Sequence, residues 1–299
     1  MKKAIITGST GLLGSYISKY FIDKGIEVLC LGRKFLNDNE INTIFGKKIK
    51  YIQLEMKDIC NLPEKAAILG WLKSEDCVFF NFAWSGGVNL TSGDFHSQIV
   101  NAVNSANAVK VAKKMGCSTF VNAGTLEETF IEQSLNEGVP YTSDQTNYAL
   151  SKLAARDLCK ITSYLEKIDY VHTRLSIPLS PELEKGGYIA STLKLIIKGD
   201  KFESPKNKRL FDIICINDVA AAYYAIGKYG KNQSDYFIGT SKPIMLSHFF
   251  EDAKLFKERR NKSTIKKRSY AKDEIFSTEK LKVDTGFCHT IDPLEILFK

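Results

Sequence analysis

The sequence predicts an α/β fold, in which a doubly wound parallel sheet carries helices on both faces and a smaller C-terminal lobe is attached. Three observations predict it. Short β-rich runs alternate with helical patterns, three closely spaced glycines join the first predicted strand to the first helix, and the alternation loosens after about residue 175. The chain of 299 residues, 44% of them hydrophobic, is long enough to bury the core of such a fold.

The alternation is clearest in six predicted strands. They are KAIITG, IEVLCLGR, KIKYIQLE, DCVFFNFAW, TFVNAG and DYVHTRLS. Between the fourth and the fifth, apolar residues recur at helical spacing over 97–115 and the pattern ends at Gly116, which predicts a crossover helix. The helix that contains NYALSK, residues 147–152, follows the polar stretch YTSDQTN, whose side chains can cap its start.

The last part of the chain predicts a second, smaller unit. Pro178 and Pro181 interrupt the chain, and a helical pattern follows over 188–198. We expect the main domain to span 1–175, with 210–235 returning to it, and the lobe to be built from 176–209 and 236–299.

Composition argues against several classes of protein. No segment approaches the roughly 18 to 20 apolar residues that span a bilayer, and we expect no export signal. The seven cysteines are scattered singly, without metal-binding spacing to one another or to histidine, so we expect neither disulfides nor a metal site. A reducing cytoplasm is the expected location.

The net charge of +8 favours anionic partners, which include both nucleic acids and small phosphorylated ligands. The basic residues concentrate at 206–209 and 257–268. Because neither run has interleaved aromatic residues, a solvated surface is favoured over nucleic-acid binding.

The stretch TGSTGLLG, residues 7–14, places Gly8, Gly11 and Gly14 between the first predicted strand and the first helix. Small residues let the backbone approach a pyrophosphate closely, and the free N–H groups at the start of a helix attract its charge. A tight turn without function would need the same glycines, but the strand, loop and helix together favour dinucleotide binding.

The end of the second predicted strand bears on which dinucleotide binds. An acid there accepts hydrogen bonds from a ribose 2′-hydroxyl, whereas an arginine suits a 2′-phosphate. Here Leu31 is followed by Gly32, Arg33 and Lys34, so the sequence predicts NADP(H), with NAD(H) as the alternative cofactor. Arg33 as an ordinary solvated cation is the competing interpretation.

The motif NYALSK places Tyr148 and Lys152 on the same face of a predicted helix, because residues four apart face the same way. A nearby ammonium stabilises a phenolate, so we expect the pKa of Tyr148 to fall from its free value of about 10 towards the working pH. A tyrosine and a lysine at this spacing also occur by chance. Thr125 lies upstream, at the end of a predicted strand, and supplies a hydroxyl as a third group. The order of the glycine loop, Thr125, Tyr148 and Lys152 along the chain favours a catalytic site.

Together these motifs resemble the extended short-chain dehydrogenase/reductases, a Rossmann-fold family, and in particular its members that act on nucleotide sugars. The resemblance covers nearly the whole chain. TGSTGLLG is similar to the cofactor loop of the family, NFAW at 81–84 to its fourth-strand motif, RLSIPLSP at 174–181 to its segment around the nicotinamide, and DIICINDVA at 212–220 to its seventh-strand motif.

The resemblance implies a hydride transfer between the nicotinamide C4 and a sugar carbon. Tyr148 would then move the proton, Lys152 would hold the ribose and tune the phenol, and Thr125 would bind the sugar oxygen. Asn101 stands where the family has a structural or proton-relay asparagine. The residues implied for the cofactor are Gly8, Thr10, Gly11, Leu12, Leu13, Gly14, Arg33, Phe82, Ala83, Trp84, Asn101, Tyr148, Lys152 and Ser176. Those implied for the nucleotide-diphosphate sugar are Thr125, Leu126, Glu127, Tyr148 and Arg209.

The family contains several reactions, and the residues here favour one of them. Dehydratases carry an Asp-Glu pair directly after the catalytic threonine, where this chain has Leu126 and Glu127, which argues against 4,6-dehydration. Epimerases usually retain NAD and have an acid after the second strand, so Gly32 and Arg33 favour a reductase that exchanges NADPH. The chain most resembles reductases that make deoxyhexoses from CDP- or dTDP-linked 4-keto-6-deoxy sugars for bacterial surface polysaccharides such as the O-antigen of lipopolysaccharide. A protein that binds NADP without catalysis is disfavoured because both catalytic side chains are present.

Two positions depart from the family pattern. Phe211 stands where an arginine often grips the pyrophosphate, so that role would pass to Arg209 or to Arg259 and Arg260. Ile177 replaces an asparagine near the nicotinamide. Either change would alter the pocket for the base or the sugar.

The resemblance also bears on assembly. Members of the family often dimerise through the helices that correspond to 98–115 and 148–163, so a homodimer is expected. The smaller lobe is expected to bind the substrate.

Overall fold

The computed structural model describes residues 1–46, 49–86, 94–138, 146–183, 187–206, 208–259 and 274–297. The strands are β1 (Lys3–Thr7), β2 (Glu27–Gly32), β3 (Lys50–Gln53), β4 (Cys77–Asn81), β5 (Thr119–Thr125), β6 (Asp169–Leu175), β7 (Ile177–Leu179), β8 (Leu210–Phe211), β9 (Ile213–Cys215), β10 (Ser234–Ile238) and β11 (Ile244–Met245). The helices are α1 (Leu12–Asp23), α2 (Asp38–Phe45), α3 (Leu62–Ile68), α4 (Phe95–Lys114), α5 (Glu127–Glu137), α6 (Thr146–Glu166), α7 (Tyr188–Lys198), α8 (Ile216–Tyr229), α9 (Leu246–Arg259) and α10 (Glu279–Thr285). Short 3-10 helices lie at Met56–Asn61 and Glu274–Phe276.

Seven strands form one parallel sheet in the order β10-β6-β5-β4-β1-β2-β3. The chain adds β2 and β3 on one side of β1 and then returns to the other side with β4. The carboxyl ends of β1 and β4 therefore flank a topological switch point, which is where open α/β sheets bind ligands. The prediction of a doubly wound parallel sheet is confirmed.

The central strands are buried on both faces because successive side chains of a strand point to opposite sides. In β4, Phe80 packs against Phe21 of α1 with ring centroids 5.0 Å apart. Its neighbour Phe79 stacks on Phe120 of β5 on the other face, with centroids 5.2 Å apart. All four rings are fully buried. Burying each ring contributes about 1.5–3 kcal/mol, which fixes β4 in the sheet and with it the segment that follows its carboxyl end.

A separate cluster of apolar side chains lies in the C-terminal half. Leu193 of α7, Ile213 of β9 and Phe250 of α9 are buried within it. Here β7 pairs with β9, and β8 pairs with β11 in an antiparallel ladder. Strand β10 belongs to the main sheet, so residue 236, where the predicted lobe resumes, lies inside a strand of that sheet.

Two helices predicted from apolar spacing are confirmed. The crossover helix expected over 97–115 is α4, and Gly116 follows it with a φ of +80°. The helix expected over 188–198 is α7, with the same bounds. Asp94 precedes the first residue of α4 as its N-cap, and its side chain accepts a hydrogen bond from the backbone N–H of Ser97.

Other predictions fall on residues outside the described part of the chain. These are most of the capping stretch before α6, at 141–145, and most of the second basic run, which includes Arg260. Arg259 is the last residue of α9. Within the described ranges, the helices are too short or too polar to cross a bilayer.

Candidate active site

The loop between β1 and α1 is closed tightly against the chain that follows β4. Gly8 has a φ of +65°, and a Cβ there would lie 2.9 Å from the Ala83 nitrogen. A Cβ on Gly14 would overlap the carbonyl oxygen of Gly8. The Thr7 hydroxyl accepts hydrogen bonds from the N–H groups of Phe82 and Ala83, each at 3.1 Å. Only glycine at both loop positions lets the backbone reach this place.

A cleft of about 440 Å³ opens beside this loop. It is lined by predicted cofactor residues from three parts of the chain, which are Gly8, Thr10, Gly11, Arg33, Phe82, Ala83 and Trp84. Leu12, Leu13 and Gly14 form the first turn of α1, directly after the loop. The start of α1 therefore directs its free N–H groups to the same region as the cleft.

The turn after β2 contributes two cations to the wall of the cleft, Arg33 and Lys34. Both side chains are exposed. The backbone beneath them is held by side chains of β3, because the Tyr51 hydroxyl donates to the Lys34 carbonyl at 2.6 Å and Gln53 Nε2 donates to the Arg33 carbonyl at 3.1 Å. Strand β2 ends at Gly32, so the position after the strand carries no acid. This wall suits an anionic group.

Tyr148 and Lys152 lie one turn apart on α6, and both contact Trp84. The indole packs edge-on against the Tyr148 ring, with centroids 5.9 Å apart, and Lys152 Nζ lies 3.9 Å from the centre of the indole. The same Nζ donates to the Ala123 carbonyl at 2.8 Å. The Thr125 hydroxyl is near enough to the Tyr148 phenol to act on its pKa as a hydrogen-bonding group. The predicted Thr125, Tyr148 and Lys152 are thus brought together beside the cleft.

The electrostatics of this cluster differ from the prediction. Burial raises the pKa of Tyr148 well above its usual range, and the negative charges of Glu128 and Glu127 raise it further, while the nearby Thr125 hydroxyl acts in the opposite direction. The expectation that Lys152 lowers the pKa of the phenol is therefore wrong. Lys152 is itself desolvated, and burial lowers its pKa to about 8, with Glu128 opposing that change.

Two further predicted residues have distinct surroundings. Asn101 is buried, and its side chain accepts from the Ser85 N–H at 2.8 Å and donates to the Ser85 carbonyl at 3.1 Å, so it holds the segment after β4. Ser176, directly after β6, is buried, and its hydroxyl has no hydrogen-bond partner among the described residues. A buried hydroxyl without a partner costs about 1–3 kcal/mol, so a ligand atom that bonded to Ser176 would be stabilised.

The predicted substrate residues cluster at the start of α5. Glu127 and Arg209 form an ion pair at 2.7 Å, and the guanidinium lies 3.6 Å from the centre of the Phe130 ring. The N–H of Glu127 donates to the Thr125 hydroxyl at 3.4 Å. Leu126 is buried. Arg209 is therefore close to the catalytic cluster, with its position fixed by an acid and a ring.

Glu128 is fully buried and belongs to none of the motifs in the sequence described above. One of its oxygens accepts from the Thr125 N–H at 2.8 Å, and the other lies 2.7 Å from His172 Nε2 and 3.7 Å from Arg174 Nε. The one signal in the sequence is helical spacing, because Glu128 lies one turn before the buried Ile131 and therefore faces inward with it.

The fold is similar to those of several solved proteins, two of which are named as nucleotide-sugar epimerases and one as an enzyme in complex with NAD. A UDP-glucose 4-epimerase from Thermotoga maritima with UDP-glucose matches with a TM-score of 0.76 and 15% identity, over 99% of this chain and 96% of that one. WbmG from Bordetella bronchiseptica in complex with NAD matches with a TM-score of 0.73 and 16% identity, over 99% and 91%. A UDP-N-acetylglucosamine 4-epimerase from Bacillus cereus matches with a TM-score of 0.71 and 17% identity, over 99% and 94%. At such identities the likeness is one of fold.

The family assignment comes from sequence. No curated protein matches the chain. A family model does match, over residues 4–239, and it describes the NAD-dependent epimerase/dehydratase family. The matched range runs from β1 through β10 and contains the glycine loop, the cleft and the cluster around Tyr148. The chain therefore belongs to the NAD-dependent epimerase/dehydratase family.

Proposed function

We propose that this protein is an NADPH-dependent reductase of a nucleotide-linked 4-keto-6-deoxy sugar, of the kind that supplies deoxyhexoses for bacterial surface polysaccharides. The observation that carries the proposal is the meeting of Thr125, Tyr148 and Lys152 beside a cleft bordered by a glycine loop. The bound nicotinamide supplies the hydride that adds to the carbonyl carbon. The side chains of the protein handle the proton and the orientation of the sugar.

Tyr148 has the protonation state that a reductase needs. Because burial raises the pKa of the phenol, it is protonated at neutral pH and serves as an acid. The carbonyl oxygen gains negative charge as hydride adds to the carbon, and Tyr148 gives that oxygen its proton. Thr125, near the phenol, is placed to hold the same oxygen. Lys152, with a pKa of about 8, is largely charged at neutral pH and offsets the phenolate that remains.

The residues around the cleft fit a dinucleotide, and the preference for NADPH rests on Arg33 and Lys34. Their exposed cations on the cleft wall suit a 2′-phosphate, and Gly32 places no acid at the end of β2. The acid that does line the cleft, Glu55, is paired with Lys57 at 3.1 Å. The unpartnered hydroxyl of Ser176 is a candidate partner for the carboxamide of the nicotinamide. The glycine loop would hold the pyrophosphate.

For the substrate, we assign the diphosphate to Arg209. Its guanidinium is held on Phe130 beside Thr125, and a phosphate oxygen would compete with the Glu127 carboxylate for it. The apolar cluster supports a substrate lobe that includes α7 of 176–209 and α9 of 236–299. The boundaries proposed with a main domain at 1–175 and 210–235 need adjustment, because Ile213 of β9 packs in this cluster and residues up to Ile238 pair in the main sheet.

An epimerase is the second candidate, because the structures similar in fold include 4-epimerases of UDP-glucose and UDP-N-acetylglucosamine. The same three side chains would then remove and return the proton on one sugar while the nicotinamide stays bound. A dehydratase is disfavoured, since Leu126 is apolar and buried and Glu127 is engaged by Arg209.

The experiment adds purified protein to single nucleotide-linked sugars and follows absorbance of NADPH or NADH, with NMR of the sugar in parallel. CDP- and dTDP-linked 4-keto-6-deoxyglucose test the reductase, and UDP-glucose and UDP-N-acetylglucosamine test the epimerase. Stoichiometric oxidation of NADPH in preference to NADH is the expected result. A changed sugar without net consumption of cofactor would replace the reductase by the epimerase, and no change in either would contradict both.

We also propose a homodimer that uses α4 and α6. Both helices carry exposed apolar side chains along their lengths, among them Val103 of α4 and Ile161 and Leu165 of α6. Sedimentation should give a dimer that Ile161→Glu weakens. A monomeric wild type would contradict this assignment.

A further inference from the structure

A row of polar side chains crosses the otherwise apolar sheet. Thr7, Asn81, Asn122 and His172 occupy paired positions on β1, β4, β5 and β6, and each is at most 3% exposed. Glu128 of α5, which is 0% exposed, ends the row. We refer to these five side chains as the polar row. Buried polar groups cost free energy unless they are bonded, so the row needs partners at every step.

The first two hydrogen bonds of the polar row are donated towards Glu128. Thr7 Oγ1 donates to Asn81 Oδ1 at 2.8 Å, and Asn81 Nδ2 donates to Asn122 Oδ1 at 3.0 Å. Asn122 Nδ2 faces His172 Nδ1 at 3.4 Å. The Tyr170 hydroxyl lies nearer, 3.2 Å from the same Nδ1. In the tautomer in which Nδ1 accepts from these groups, the imidazole proton is on Nε2, which lies 2.7 Å from Glu128 Oε2. Aligned hydrogen bonds polarise one another, so the row stabilises a carboxylate at its end.

The other oxygen of Glu128 reaches the catalytic threonine. Glu128 Oε1 accepts from the Thr125 N–H at 2.8 Å. This contact requires glycine at position 124, because a Cβ on Gly124 would overlap both Glu128 Oε1 and His172 Nε2. Arg174, which approaches the same carboxylate, is drawn away by its own ion pair with Glu132.

We propose that Glu128 is a positioning residue of the reaction, which ties the Thr125 backbone to the polar row and places a fixed negative charge behind Tyr148 and Lys152. The inference rests on the proposed function for the roles of those two side chains. In reduction, such a charge keeps the phenol a proton donor and the ammonium charged. In oxidation of an alcohol, it would oppose formation of the phenolate base. The polar row thus sets the protonation states in which the site rests and the pH range in which each direction runs, while the equilibrium between reduction and oxidation is unchanged.

The electrostatics of the neighbouring groups agree with this geometry. Burial has the largest effect on the pKa of Tyr148, and the charge of Glu128 raises it further. Burial lowers the pKa of Lys152, and the charge of Glu128 is the main influence that opposes this lowering. The groups that face Glu128 are Tyr170, His172 and Arg174 of β6, Tyr148 and Lys152 of α6, and Tyr223 of α8. Tyr148 is also influenced by Glu127, which is paired with Arg209.

The decisive test titrates Lys152 in the whole protein by NMR of isotope-labelled lysine, with its signal identified by its loss in Lys152→Met. In the wild type the midpoint is expected near pH 8. Glu128→Gln keeps the size and an acceptor oxygen but removes the charge, so the midpoint should fall by about one pH unit. The matched control is Glu137→Gln, which removes an exposed carboxylate at the end of the same helix and should leave the midpoint in place. An unshifted midpoint in Glu128→Gln would overturn the proposal.

A kinetic readout complements the titration. The alkaline limb of kcat/KM for reduction reports the loss of the Lys152 charge, so it should move to lower pH in Glu128→Gln while the affinity for NADPH is kept. A limb that stays in place would contradict the proposal. The NMR titration needs no sugar, so it gives an answer even if the proposed substrates are not turned over. If Glu128→Gln fails to fold, the double variant Glu128→Gln/His172→Gln, which pairs two amides, should show the same shift.

Discussion

The glycine loop lies on one side of β4, and the catalytic corner lies on the other. We use the term catalytic corner for Thr125, Glu128, Tyr148 and Lys152. The two regions depend on opposite properties of their residues. The loop requires residues without a side chain, since a Cβ on Gly14 would overlap the backbone of Gly8. The corner depends on atoms that are present and buried, joined by hydrogen bonds from β5, α5 and α6.

The contrast predicts opposite responses to mutation. Adding a side-chain atom to a glycine of the loop should weaken cofactor binding, whereas removing a polar side-chain atom from the corner should lower the reaction rate. Backbone N–H groups are common to all residues, so the side chains of the loop matter mainly by being small. In the corner, each side chain carries a proton or a charge that no neighbour can replace.

The largest effect is expected from removing one oxygen in the corner. Tyr148→Phe should lower kcat by about 10²- to 10⁴-fold, because the proton donor is lost, and should leave the affinity for NADPH nearly unchanged. Steady-state kinetics and a fluorescence titration of NADPH measure the two quantities. Tyr164→Phe, an exposed tyrosine on the same helix, is the control. Retained turnover in Tyr148→Phe would remove this residue from the mechanism.

Adding one carbon to the loop should have the next largest effect. Gly14→Ala forces the loop to shift at a cost of about 2–3 kcal/mol, which corresponds to a Kd for NADPH raised roughly 30- to 150-fold. Isothermal titration measures it. Gly187→Ala is the control, because a Cβ there meets no neighbouring atom. Equal affinities in the two variants would mean that the loop does not hold the cofactor.

The burial of Lys152 should be visible in the stability of the protein as a function of pH. Its pKa is lowered from 10.5 to about 8 on folding, so the unfolded chain binds more protons between those values and stability rises with pH across that window. Relative to Lys152→Met, the wild type should gain about 2 kcal/mol between about pH 7 and about pH 9.5. Urea unfolding of both proteins at each pH measures this difference. A difference that does not change with pH would show that the ammonium is not desolvated.

The smallest effect is expected from removing an exposed side chain near the loop. Arg33→Ala should reduce the preference for NADPH over NADH by about tenfold, or about 1.4 kcal/mol, since one of two cations near the 2′-phosphate is lost. The ratio of kcat/KM for the two cofactors is the measurement, and Lys24→Ala, a cation that packs over Tyr20, is the control. An unaltered ratio would leave Arg33 as an ordinary surface cation.

The same contrast explains what the sequence could predict. The sheet and the glycine loop follow from local patterns, because strand, turn and helix lie next to each other in the chain. The order of Thr125, Tyr148 and Lys152 along the chain, together with the family resemblance, predicts that the three side chains lie together. The direction of the Tyr148 pKa was predicted wrongly, and Glu128 was missed, because both depend on which groups tertiary packing brings together. His172 contacts Glu128, and Asn81 and Asn122 are connected to it through His172, only in the folded protein, where β4, β5, β6 and α5 are packed together.

Trp84 has a further consequence for work on this protein. It is one of only two tryptophans in the chain, and its indole contacts both the Lys152 ammonium and the Tyr148 ring. The other, Trp71, is buried in the core beneath Lys3 and lies apart from these side chains. Indole emission responds to nearby charge and transfers energy to reduced nicotinamide. The protein therefore carries its own optical probe of the catalytic site, with a second indole as the internal reference.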